Sequence, residues 1–153
     1  MKTDLSQNNL QFDDFVSNYD SALEQGLSVS GEHKEYFSKG RITWLKKCLQ
    51  NLSVQPKTAL DFGCGTGSTT QYFVDVIGVD SILGVDSSAK SIDFAKRNYG
   101  SEYVEFMPIS GCQPNGQIDL AFCNGVFHHI PVEARLGAVQ FINQSLRPAG
   151  LFA

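Results

Sequence analysis

The spacing of apolar and polar residues divides the chain into a helical first third and an alternating remainder. Before residue 54, apolar positions recur at intervals of three and four, which predicts helices at 11–24, from 33 through 37, and at 40–53. Short apolar runs then alternate with amphipathic stretches, as strands and helices do. The predicted strands are 58–62, 81–86, 103–107 and 117–124, with a fifth opening at 151, and the predicted helices are 67–76, 88–98 and 132–146.

This alternation predicts an α/β fold, a Rossmann-like doubly wound sheet that is mainly parallel. The 153 residues are enough for one hydrophobic core. We therefore expect residues 1–53 to form a helical cap on a core at 54–153, the two together making one domain.

Composition and charge exclude several classes of protein. The formal net charge of −4 and the pI of about 5.2 argue against nucleic-acid binding, which needs clustered Lys and Arg. No apolar run approaches the roughly 20 residues of a membrane span, and the N-terminus lacks the apolar core of a signal peptide. The four cysteines show no paired metal-ligand spacing. We expect a cytoplasmic protein with reduced thiols, no metal and no membrane contact.

The most informative stretch is a strand that ends in an acid and runs into a glycine-rich turn. Asp61 is followed by Gly63, Gly65 and Gly67, with the small side chain of Cys64 between them. Glycine permits a tight turn and close backbone approach, and open α/β sheets take up nucleotide-like cofactors at such turns. A carboxylate here would repel a pyrophosphate but attract an ammonium group.

A second acid narrows the choice of cofactor. Asp86 ends the second predicted strand, where an acid is placed to accept hydrogen bonds from ribose hydroxyls. The two acids would bracket a ligand that carries a ribose and a cation and needs no phosphate clamp. S-adenosylmethionine fits that description.

From about Ala59 onward, the chain resembles class I S-adenosylmethionine-dependent methyltransferases of the small-molecule type. Four segments carry the resemblance, in the family's order: Asp61–Gly67 (DFGCGTG), Leu83–Ser88 (LGVDSS), Ile118–Pro131 (IDLAFCNGVFHHIP) and Ser145–Phe152 (SLRPAGLF). The resemblance implies methyl transfer to a small-molecule acceptor. It also implies that the glycine loop and the N–H groups of a helix starting near Ser68 hold the amino-acid part of the cofactor.

The resemblance assigns further positions along the chain. Ser87 stands where the family often has an apolar residue on the adenine, and Ser110 and Gly111 are candidates for contacts with the base. Asn124, followed by Gly125, ends the fourth strand, where methyl donor and acceptor meet in this fold.

Three more side chains are candidates with an ordinary alternative. The N-terminal helices of such enzymes often cover the cofactor, which makes Tyr19 and Arg41 candidates, Arg41 for the cofactor carboxylate. The alternative for Arg41 is a surface position at a helix start. His128 is a candidate base, because histidine titrates near neutral pH, or else half of a packed pair with His129.

Other readings remain open at this point. A dinucleotide-dependent oxidoreductase would want Gly or Ala at position 68, which is Ser68. The resemblance also implies a longer sheet than the chain provides, which leaves strand five at an edge. A fragment, a natural truncation, or a homodimer covering that edge would each account for this, as would a cofactor-binding domain without turnover.

Overall fold

The computed structural model describes residues 34–153, which alternate between strands and helices. The longer elements are α1 (Lys34–Asn51), β1 (Thr58–Phe62), β2 (Ser81–Asp86), α2 (Ala89–Tyr99), β3 (Val104–Pro108), β4 (Ile118–Phe122), α3 (Val132–Ser145) and β5 (Leu146–Phe152). A short π-helical segment covers Phe73–Ile77, and 3₁₀ turns cover Ile109–Gly111 and Phe127–His129.

The five strands form one parallel sheet in the order β3-β2-β1-β4-β5. The predicted Rossmann-like parallel architecture is therefore confirmed. The chain winds from β1 outward to β3 and then crosses to β4 on the other side of β1. The reversal between β1 and β4 is a topological switch point, and such points bind ligands at the carboxyl ends of the strands.

Helices cover both faces of the sheet and bury alternate strand residues. On one face α1 and α2 pack over the sheet; the buried residues there include Ile42, Leu45, Leu49, Ala59, Phe73, Ile82, Ile92, Phe106 and Leu120. On the other face α3 packs over a second cluster containing Leu60, Phe62, Val85, Ala121 and Ile142. Asp61 lies between Leu60 and Phe62, so strand alternation directs it toward the face that carries α1.

Local sequence explains where α2 begins and ends. The Ser88 hydroxyl accepts a hydrogen bond from the N–H of Ser91, which satisfies one of the free donors of the first turn. Lys96 and Arg97 occupy the last turn, where positive charges interact favourably with the helix dipole.

Three predicted helices differ from the structure. The helices predicted at 33–37 and 40–53 are one helix, which continues through the exposed Gly40 and buries Ser38, Ile42, Leu45 and Leu49 along a single face. The helix predicted at 67–76 is wrong: turns continue through Gln71, and a five-residue π-helical segment starts only at Phe73. No helix begins at Ser68, so the expected helical N–H donors are not formed there.

The fifth strand begins earlier than predicted. Leu146 pairs with Ile118, and the register then shifts before Leu151 pairs with Leu120. Ala149 has a φ of +64° inside this irregular stretch, and Pro148 and Gly150 on either side of it are unfavourable in a strand, so the sequence did not predict one there. The predicted helix 11–24 lies outside the described residues. No helix in the described part of the chain is long and apolar enough to cross a membrane.

Candidate functional site

The sheet topology brings the predicted site residues into one row. Asp86 at the end of β2 is in register with Pro108 at the end of β3, and Phe62 of β1 is in register with Val85. The segments that follow these strands therefore leave the sheet at the same end, the one formed by the carboxyl ends of the strands. In spatial order they are Ser110 and Gly111, Asp86 and Ser87, the glycine loop, and Asn124 with Gly125.

The three glycines of the loop serve different purposes, although all have positive φ (76°, 55° and 80°). A Cβ at Gly63 would lie 2.4 Å from Val126, and one at Gly67 would lie 2.7 Å from the Phe106 ring, so both glycines are needed for packing. A Cβ at Gly65 would meet nothing within 4 Å. Only Gly65 therefore exposes its backbone to open space, as close approach by a ligand requires.

Asp86 anchors the loop to the second strand. Its Oδ2 accepts a hydrogen bond from the Gly65 N–H at 2.9 Å, and its Oδ1 accepts one from the Ser88 N–H at 2.9 Å. The side chain is buried. A carboxylate offers about four lone-pair positions, so these two bonds leave capacity for a hydroxyl donor from a ligand.

Asp61 is buried more deeply than Asp86, and this burial disfavours the charged form of Asp61. Its Oδ2 accepts a hydrogen bond from the Thr70 hydroxyl at 2.7 Å. Burial raises the pKa of Asp61 to about 6; the Thr70 bond acts to lower it, and the charge of Asp86 acts to raise it further. Sequence reasoning found Asp61 but missed Thr70, whose only sequence signal is a hydroxyl residue three positions after the last glycine.

The loop cysteine has a packing role. Burial raises the pKa of the Cys64 thiol well above its usual range, and the carboxylates of Asp61 and Asp86 add to this. The thiol therefore stays protonated at neutral pH and is a poor nucleophile. A Cβ built on Gly84 would lie 2.6 Å from the Phe106 ring and 3.1 Å from the Cys64 Sγ, which explains the glycine at that position of β2.

The remaining candidate cofactor-binding residues at the carboxyl end of the sheet are exposed. Ser87, Ser110, Gly111 and Asn124 are all accessible to a ligand in solution. His128 is exposed as well, and its ring centroid lies 3.8 Å from that of His129, so the two rings are in contact. Both readings of His128 remain compatible with this placement.

Helix α1 brings Arg41 to a groove beside the row. The hydroxyl of Thr69 donates to that of Ser38 at 3.2 Å, which holds the start of α1 against the turn after the loop. The groove has a volume of about 900 Å³, and its lining includes Tyr36, Arg41, Trp44 and Asn124. Tyr19 lies outside the described residues. Among residues 34–153, no group of three or more His, Cys, Asp and Glu side chains could hold a metal ion.

The arrangement is suited to S-adenosylmethionine and is unfavourable for a ligand that carries a pyrophosphate. Two buried carboxylates flank a loop whose middle glycine is open, and a dinucleotide would place its phosphates against them. The fold and the site match those of class I S-adenosylmethionine-dependent methyltransferases. The chain belongs to the methyltransferase domain family, whose sequence profile matches residues 59–150.

Known proteins share this core. The trans-aconitate 2-methyltransferase of Rhizobium etli is 37% identical over 76 residues, which cover 49% of this chain and 29% of that protein. The chain thus spans less than a third of this curated relative.

Two solved structures extend the likeness. A TehB-like S-adenosylmethionine-dependent methyltransferase from Corynebacterium glutamicum superposes with a TM-score of 0.66 at 21% identity, over 90% of this chain and 70% of that one, and shows the same fold. A methyltransferase from Thiobacillus denitrificans, solved with S-adenosyl-L-homocysteine, gives a TM-score of 0.50 at 25% identity, over 63% of this chain and 40% of that one.

Proposed function

We propose that this chain transfers a methyl group from S-adenosylmethionine to a small-molecule acceptor. The observation that carries the proposal is the pair of buried carboxylates, Asp61 and Asp86, on either side of an open Gly65. Asp61 would pair with the ammonium of the cofactor and Asp86 would accept hydrogen bonds from its ribose. When bound, the cofactor supplies an electrophilic methyl group on a sulfonium.

Because the cofactor supplies the reactive methyl group, the role of the chain would be to bind the cofactor and the acceptor and to orient them. In this proposal the base would lie next to Ser110 and Gly111, the ribose at Asp86 and the amino acid at the glycine loop, and the order of the strands supports this arrangement. The reacting methyl would then lie toward Asn124 at the end of β4. Holding the acceptor there would supply much of the rate, since alignment replaces a bimolecular encounter. His128 is a candidate base only for an acceptor that must lose a proton.

The groove along α1 favours an anionic acceptor. Its lining holds three basic side chains, Lys39, Arg41 and Lys47, together with aromatic rings, and no acidic side chain among the described residues. The curated relative methylates trans-aconitate by its name, and a carboxylate-bearing substrate would suit this lining. We therefore propose a small carboxylate with an apolar body as the acceptor class.

Calorimetric titration tests the cofactor site. S-adenosylmethionine and S-adenosylhomocysteine are expected to bind, and NAD is not. Binding of NAD alone would instead favour a dinucleotide-dependent oxidoreductase. Binding of the adenosyl ligands without transfer to any carboxylate in a panel of mono-, di- and tricarboxylates would favour the alternative, a cofactor-binding domain without turnover.

Replacing Asp86 is expected to weaken cofactor binding strongly. In Asp86→Ala both the ribose contact and the bond that anchors Gly65 are lost. A hydrogen bond to a charged group is worth about 1.5–3 kcal/mol, so the Kd should rise by about tenfold to 150-fold. Asp93→Asn is the matched control, because Asp93 is an exposed acid on α2. Equal affinities for wild type and Asp86→Ala, both folded, would remove Asp86 from the site.

A further inference from the structure

Thr70 is the one side chain in the described residues that donates a hydrogen bond to Asp61. It is fully buried, its hydroxyl lies 2.7 Å from Oδ2 of Asp61, and its N–H donates to the carbonyl of Gly67 at 3.1 Å. The hydroxyl is thus fixed from the loop side. We propose that Thr70 is a positioning residue that keeps Asp61 ionised for the ammonium of the cofactor, and so sets the pH below which the cofactor is released. This inference rests on the proposed function.

The groups around Asp61 make the Thr70 hydroxyl important. Asp86 on β2 repels a charge on Asp61, and the thiols of Cys64 and Cys123 stay neutral beside it because their pKa values are raised, first by burial and then by Asp61. The Lys and Arg ion pairs of the described chain, Lys57–Asp80 and Arg147–Asp119, lie at the opposite edge of the sheet. No Lys or Arg of the described residues, including Arg41 on α1, contributes to the pKa of Asp61, so Thr70 is left to favour the charged form.

The geometry has a consequence for binding. Burial already raises the pKa of Asp61 to about 6, so a neutral carboxyl is populated just below neutral pH. An ammonium group pairs well only with the ionised form. Affinity for the cofactor should be constant above the Asp61 midpoint and fall about tenfold for each pH unit below it, since one proton must leave for binding.

Two substitutions separate the hydroxyl from the space that it fills. Thr70→Val keeps the shape and removes the hydroxyl, whereas Thr70→Ser keeps the hydroxyl. Affinity for S-adenosylmethionine and S-adenosylhomocysteine would be measured by calorimetry from pH 5 to 7.5. The wild-type midpoint is expected near pH 6, Thr70→Val should move it up by about one pH unit, and Thr70→Ser should return it to the wild-type value. The two ligands should shift equally, because both carry the ammonium and only one carries the sulfonium.

A direct readout needs neither ligand nor Thr70 variant. The ¹³C resonance of the Asp61 carboxyl in the ligand-free wild type, assigned with Asp61→Asn, should titrate near pH 6. Titration near the ordinary value of 3.8 would overturn the inference even if Thr70→Val does not fold. If the pH midpoint of cofactor binding is the same in Thr70→Val and wild type, the inference about Thr70 is overturned but the proposed function is not. No binding by the folded wild type at any pH would overturn the proposed function and the inference with it.

Discussion

Gly67→Ala is expected to destabilise the protein by about 2–6 kcal/mol. The φ of +80° is unfavourable for alanine, and the new methyl would lie 2.7 Å from two carbons of the Phe106 ring and 2.8 Å from the Cβ of Ala95. The backbone strain costs about 1–3 kcal/mol and overpacking a core costs about as much again. Because a domain has only about 5–15 kcal/mol of stability, the loss should be obvious in urea denaturation followed by circular dichroism.

Gly65→Ala is the matched control for this prediction. It adds the same methyl at a φ of +55°, but in open space. We expect about 1 kcal/mol of destabilisation, with a large loss of cofactor affinity because the methyl occupies the space into which the cofactor would fit. Equal destabilisation by the two substitutions would contradict the separate roles assigned to the two glycines.

Strands were predicted more accurately than helices, for a physical reason. Buried strands such as 58–62 and 81–86 are short apolar runs whose ends are marked by polar residues, so local sequence defines them. Whether residues 67–76 form a helix depends instead on a non-local contact. Thr70 turns toward Asp61, nine positions earlier, and the turn that this bond supports delays the helical segment to Phe73. A local pattern carries no record of such a contact.

The candidate site divides in the same way. Parallel topology alone places Asp61, Asp86 and Asn124 at one edge, because the carboxyl ends of parallel strands meet there. The role of Thr70 and the groove beside Arg41 depend on how α1 and the loop turn pack together, which the sequence does not encode locally. The different tasks of Gly63, Gly65 and Gly67 likewise become visible only when their neighbours are known.

Asp61→Asn should make the ligand-free protein more stable at neutral pH while it weakens cofactor binding. The pKa of Asp61 is raised from 3.8 to about 6 in the fold, mainly by burial, so the folded state disfavours the charged form. Well below pH 3.8 the carboxyl is neutral in both states and costs nothing. As pH rises through 6 the wild type loses stability, up to about 3 kcal/mol, because each pKa unit corresponds to 1.36 kcal/mol.

Asparagine is neutral at every pH and still accepts the Thr70 hydrogen bond through Oδ1, so the variant escapes this loss. Urea denaturation at pH 4, 6 and 8 should show a difference of less than about 1 kcal/mol at pH 4 and a gain of up to about 3 kcal/mol for Asp61→Asn at pH 8. The same variant should bind S-adenosylmethionine at least about tenfold more weakly, since the ammonium loses its charged partner. A gain that is the same at pH 4 and pH 8 would show that packing, and not the buried charge, limits stability here. A buried acid that costs stability when unliganded and is needed for binding is the arrangement expected where a fold gives up stability for a function.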